Sequence, residues 1–189
     1  MAYDVAWGDE SVRHKGLAYP TYLMCACLVG DDVDDVRELL RGIKPSDANK
    51  LHWRQMTSKD KRRSLAAIAS LDSLSFVIAA EQSNGHRSER ARRKCLERLL
   101  PLLESQGVQS LVLESRTDAQ DERDRRLLSY MRTRHVVSSI KLDHVRGAAE
   151  PCLWLPDQIL GAYGDTRVGE MDFSDFLDRC VMDEVIRCQ

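Results

Sequence analysis

The run Tyr22-Leu23-Met24-Cys25-Ala26-Cys27-Leu28-Val29 limits the possible folds more than any other stretch. A strand sends successive side chains to opposite faces, so an uninterrupted apolar run needs a covering layer on both sides. Periodicity alone also fits a short helix. What lies on either side decides how the two faces could be covered.

Tyr3 to Trp7 reads as a first strand, followed by a turn over Gly8 to Gly16 and a second strand over Tyr19 to Val29. Asp31 and Asp32 are helix-capping residues. Val33, Val36, Leu39 and Leu40 then recur at helical spacing up to Gly42. Lys44 to Met56 is a polar loop. Thr57 or Ser58 can cap a helix through Leu65, Ile68 and Leu71, and Phe76 to Ala80 is the next strand. A helix over Ser88 to Gln106 follows, which Pro101 should kink or divide. Val108 to Glu114 is a strand, and a helix starting at Asp118 or Asp121 carries Leu127, Leu128 and Met131. Val136 to Leu142 or Val145 is the last strand. Helices are expected over Pro151 to Tyr163 and Met171 to Ile186. This alternation predicts an α/β layer fold with a central mixed five-stranded sheet flanked by helices. Residues 1–189 form a single domain in this reading, with 170–189 as a C-terminal helical extension.

Composition removes several function classes. The chain has 43% hydrophobic and 31% charged residues, the balance of a folded globule. A formal net charge of −2 announces no nucleic-acid partner by itself, so the distribution of charge has to be read. No apolar run approaches the roughly 20 residues of a membrane helix, and the N-terminus lacks a basic-then-apolar signal pattern. The expectation is a cytoplasmic protein without a membrane partner. Cys25, Cys27, Cys95, Cys152, Cys180 and Cys188 include no Cys-x-x-Cys pair and read as reduced, mostly core residues. Cys152 with His144 lacks local support as a nucleophile and base. The spacings of a zinc site are missing as well.

The chemistry lies in the acids. Asp9 ends the first strand, Glu114 ends a later one, and Asp157 lies near the start or middle of the Leu153–Tyr163 helix. Asp9-Glu10-Ser11 also reads as a simple polar turn. Ligand sites in open α/β sheets gather at the carboxyl ends of strands. Mg²⁺ takes oxygen ligands, often a few carboxylates plus waters and substrate phosphates, and a pair of such ions suits phosphodiester cleavage.

Asp9-Glu10-Ser11, the strand acid Glu114 and the segment Cys152-Leu153-Trp154-Leu155-Pro156-Asp157-Gln158-Ile159-Leu160-Gly161-Ala162 resemble the three landmarks of the domain-of-unknown-function family 3800. Lys50-Leu51-His52-Trp53-Arg54, Glu114-Ser115-Arg116 and Gln120-Asp121-Glu122-Arg123-Asp124-Arg125 are similar to an actinobacterial branch of it. The resemblance spans roughly Tyr3 to Tyr163. It implies an RNase H-like fold and a presumed metal-dependent nuclease, with Mg²⁺ or Mn²⁺ held by Asp9, Glu114 and Asp157. Two departures stand out. Val12 replaces a frequent Gly, and Pro156 replaces a usual Ala, so the helix either begins at Pro156 or bends there.

Several residues around the acids suit a supporting role. Asp124 is the leading candidate for a fourth acid, ahead of Glu10, which points away from Asp9 if strand geometry persists. Arg116 and Arg123 have the planar forks that grip phosphates, or they pair with the acids of their own helix. His52 and Arg54 are candidate substrate contacts, and Trp53 either stacks on a base or packs the loop down. Lys59-Asp60-Lys61-Arg62-Arg63 and the segment from His86 and Arg87 to Arg98 form basic clusters that could track a phosphate backbone. The expected function is hydrolysis of DNA or RNA phosphodiesters. The alternatives are a non-catalytic RNase H-like module that binds nucleic acid or protein, and an oligomerising scaffold, a homodimer included, built on the Met171–Cys188 helix.

Overall fold

The computed structural model describes residues 3–82 and 88–188. Its strands are β1 (Val5–Arg13), β2 (Thr21–Val29), β3 (Ser73–Gln82), β4 (Ser110–Glu114), β5 (Lys141–Val145) and β6 (Val181–Cys188). Its helices are α1 (Val33–Ile43), α2 (Ser58–Ile68), α3 (Ser88–Ser105), α4 (Asp118–Thr133), α5 (Trp154–Val168) and α6 (Ser174–Cys180). One mixed sheet has the order β5-β4-β1-β2-β3-β6. β1, β2 and β3 form an antiparallel meander, while β4 runs parallel to β1, β5 to β4, and β6 to β3.

β2 occupies the middle of the sheet and alternates between two cores. Tyr22, Met24, Ala26 and Leu28 pack with α3 and α4 on one face. Leu23, Cys25 and Cys27 pack with α1, α2, α5 and α6 on the other. Burial on both faces is therefore what its unbroken apolar composition serves. β3 does the same through Phe76, Ile78 and Ala80 against Val77 and Ala79.

Four expectations are revised. The sheet has six strands, because the C-terminal segment is not one helix: α6 stops at Cys180 and the chain continues as β6. β6 alternates exposed and half-buried residues and carries Asp183, Glu184 and Arg187, the polar pattern of an edge strand. Its pairing with β3, from Ser75 opposite Val181 to Gln82 opposite Cys188, is a tertiary fact that local propensity does not encode. The first strand continues through Asp9 to Arg13, so the acid lies within β1. The last expected strand shortens to β5, since Glu104 instead accepts the backbone N–H groups of Ser138, Ser139 and Ile140. Finally, Pro101 sits inside α3, which runs on undivided.

Candidate metal centre

Parallel pairing of Gly8 with Leu113 ends the β1–β4 ladder. The next residues are Asp9 and Glu114. They leave the ladder side by side, on the face shared by Trp7 and Val112. β1 then continues alone beside β2, with Asp9 opposite Cys25. An acid in mid-strand is thus brought to the carboxyl end of β4 because its neighbour is shorter. Gly147, in the loop after β5, lies against Glu114: a Cβ there would come within 2.5 Å of Oε1.

Asp157 arrives from the same face in the first turn of α5. Pro156 is the third residue of that helix, where a backbone N–H has no intrahelical partner, so the proline removes no bond. The helix begins before Pro156, and Asp157 lies in its first turn. Three donors hold it. His52 Nδ1 lies 3.1 Å from Oδ1, the Trp53 backbone N–H donates to Oδ2 at 2.7 Å, and Gln158 Nε2 donates to Oδ2 at 3.2 Å.

The loop supplying His52 and Trp53 is anchored from below. Trp53 is buried, packs edge-on against Phe173 at 5.5 Å and lies against Gly161, where a side chain would overlap its ring. Its Nε1–H donates to Asp165 Oδ2 at 2.9 Å. Asp165 also takes Lys61 at 2.8 Å and Arg13 at 3.2 Å, which compensates a carboxylate with almost no exposure. Lys61, one of the basic-cluster residues, is therefore committed to the interior.

Burial, then Asp157 and then Glu114 hold the Asp9 carboxyl well above its ordinary range, against Lys50 and Arg92. Lys50 Nζ donates to both Glu114 oxygens, at 2.8 and 3.0 Å. The bond to Asp157 raises the His52 imidazolium pKa. Sequence reasoning placed Lys50 only in a motif and did not assign it to the site. Its position two residues before His52 was the available signal.

The three acids line a cavity of about 520 Å³ together with Glu10, His52, Arg54 and Arg116. Asp124 and Arg123 do not line it. Glu10 turns to the opposite face from Asp9 and pairs there with Arg92 and the Tyr22 hydroxyl while still lining the cavity. Asp124 lies in a buried network with Arg92 at 2.7 Å, His144 Nε2 at 3.0 Å and Arg116 at 3.4 Å. Although burial raises its pKa, His144 and the two guanidinium groups bring the Asp124 carboxyl down to about 2. Asp121, Asp124 and His144 bring ligand atoms within 4.8 Å of one another, but the arginines already compensate Asp124. Arg54 donates to the Val12 carbonyl at 3.3 Å, and Arg123 is exposed beside Glu89.

No protein-family model matches the chain, and no curated protein matches it. Solved structures do. RNase HII of Archaeoglobus fulgidus, from its complex with PCNA, aligns with a TM-score of 0.58 at 12% identity, over 88% of this chain and 74% of that one. Ribonuclease H2 of Pyrococcus horikoshii OT3 aligns with a TM-score of 0.56 at 14% identity, over the same shares, 88% and 74%. The fold is RNase H-like. Within this RNase H-like sheet, the carboxylate cavity lies where β1 outruns β4, and α5 closes it from one face. Among the described residues, no helix is long and apolar enough to cross a membrane.

Proposed function

We propose that this protein is a divalent-metal-dependent nuclease that hydrolyses DNA or RNA phosphodiester bonds. The observation carrying the reading is the convergence of Asp9, Glu114 and Asp157 on one polar cavity, close enough that the second and third raise the pKa of the first. Like charges brought together at the cost of burial call for a cation. The donors are hard oxygens, which fit Mg²⁺ or Mn²⁺. In this reading the three carboxylates hold the metal, which when bound supplies an activated water and charge stabilisation at the phosphoryl group.

The remaining roles belong to the chain. His52 and the Trp53 N–H fix the aim of Asp157, and Lys50 balances Glu114. Arg54 and Arg116 stand at the rim to meet substrate phosphates. Glu10 and Asp124 act from the second face by clamping Arg92, and Arg123 meets the strand beyond the cavity. The RNase H likeness of the fold supports a nucleic-acid substrate, and the landmark motifs support membership of family 3800. A cytoplasmic setting is part of the same proposal.

Asp9→Asn tests it: Mn²⁺-dependent cleavage of a labelled oligonucleotide should vanish while the circular dichroism spectrum persists. Undiminished cleavage by that variant, freed of host nucleases, overturns the assignment. A second reading, a non-catalytic binding module, draws on the internal partners that Glu114 and Asp157 already have. Failure of the wild-type protein to bind Mn²⁺ in calorimetry would favour it.

A further inference from the structure

A cavity of about 840 Å³ lies outside the carboxylate site, between α3 and α4. Each helix sends one stripe into it. Arg90 comes from α3 with Arg93 and Lys94 three and four residues on, and Arg123, Arg126 and Tyr130 come from α4 at spacings of three and four. Their cationic ends are exposed: the Arg93, Lys94, Arg123 and Arg126 side chains keep 56%, 50%, 62% and 77% of their accessible surface. Glu97 and Glu122 steady Arg93, Lys94 and Arg126 with single contacts, which leaves further donors on each cation. At the outer end Tyr130 is 53% exposed, with the Arg93 guanidinium 5.8 Å from its ring centre. At the inner end Glu89 lines both this cleft and the carboxylate cavity. Arg87 and His86, from the same basic cluster, lie outside the described residues.

We propose that this cleft is the track for an unpaired nucleic-acid strand running away from the carboxylate cavity, with its phosphates on the arginine and lysine stripes and a base stacked on Tyr130. The inference rests on reading the cavity as a nucleic-acid site and adds the form of the substrate. Ten residues of α4 separate Gln120, at the cavity, from Tyr130, so the stacking platform stands about 15 Å from it, a few nucleotides along. An exposed ring flanked by cations is the usual platform for single strands. Paired bases in a duplex are already stacked on each other and offer no free face to such a ring.

Fluorescence anisotropy tests this with a labelled 20-nucleotide single-stranded DNA and its blunt duplex, in EDTA so that cleavage plays no part. Wild-type protein should prefer the single strand. Arg93→Ala/Arg126→Ala should weaken that binding about tenfold and make the salt dependence shallower by about 1.4 in logarithmic slope, for two lost phosphate contacts. Tyr130→Ala should weaken it at least about fivefold, with Tyr130→Phe near wild type. Arg93→Lys/Arg126→Lys should restore most of the slope, which a merely structural effect would not. Unchanged affinity and slope in the alanine variants overturns the track, as does equal loss on the duplex or no single-strand binding by the wild type. Asp9→Asn separates the two readings. If that variant still cleaves while the cleft variants lose binding, the nuclease assignment fails and the track stands. If it loses cleavage while the cleft variants bind like the wild type, the reverse holds.

Discussion

Lys50 places its ammonium group between both oxygens of Glu114, at 2.8 and 3.0 Å, and so sits where a divalent cation would have to approach. It also lies within electrostatic reach of Asp9 and Asp157. The chain therefore carries its own counter-ion for the acidic cluster. A metal entering that cluster meets a resident positive charge and has to displace or tolerate it.

Lys50→Met should accordingly tighten Mn²⁺ binding, on the order of tenfold, because the carboxylates lose their internal cation. The metal-free variant should also melt at a lower temperature, since Glu114 then loses its ion pair and the acids repel with less compensation. Titration calorimetry and thermal melting in EDTA read the two effects. Equal affinity in both proteins would mean that the lysine swings clear at no cost.

Asp9 gives a prediction of opposite sign for stability. A carboxyl whose folded pKa is raised binds its proton more tightly in the fold. Its contribution is full below the unfolded value near 3.8 and is lost as pH rises through the raised value. Asp9→Asn should thus raise the melting temperature of the metal-free protein only as pH rises through that raised value, by about 3 °C per kcal/mol of repulsion removed, with no gain below 3.8. At a pH below that raised value, where the wild-type carboxyl still holds its proton, Mn²⁺ binding should release it, measurable as a dependence of the calorimetric heat on buffer ionisation, and Asp9→Asn should reduce that release.

How much of this could be read from residues alone differs from element to element. The two-faced burial of β2 was legible because eight adjacent apolar residues leave no wet side. Asp9, Glu114 and Asp157 stand out in the sequence as candidates because each lies beside a strand or helix signal, but that they line one cavity depends on how β1, β4 and α5 pack. The direction of Glu10 followed from strand alternation, but its partner Arg92 is 82 residues away and no local pattern pairs them. Asp124 reads from the sequence as the leading candidate for a fourth acid. Its commitment to Arg92 and His144 depends on how α3, α4 and β5 pack. β6 was missed because Val181, Val185 and Cys188 also fit helical spacing, and only the open side of β3 makes them a strand.

The Asp124 network predicts an acid-sensitive step. With its folded pKa depressed to about 2, Asp124 contributes stability above the unfolded value near 3.8 that disappears as pH falls towards 2. The contribution is about 2 kcal/mol. Asp124→Asn should flatten that part of the stability–pH curve in urea unfolding. At pH 7 it should cost about 3 kcal/mol, because Arg92 stays buried with one partner fewer.

Gly161→Ala probes the support beneath Asp157. A methyl group there overlaps the Trp53 ring, so the ring and the loop carrying His52 must move. The expected cost is about 1–3 kcal/mol, with a shift in tryptophan fluorescence and weaker Mn²⁺ binding as the Trp53 N–H leaves Asp157. Unchanged fluorescence and metal affinity would show that the loop holds its place without this contact.

The outermost pairing of the sheet has a consequence for biosynthesis. Ser75 meets Val181 only after more than a hundred intervening residues have been made, so β3 waits on the ribosome with one row of peptide groups bare. A nascent chain stalled before that point would offer a sticky template to its neighbours on the polysome, and chaperone occupancy of such intermediates should fall once β6 emerges.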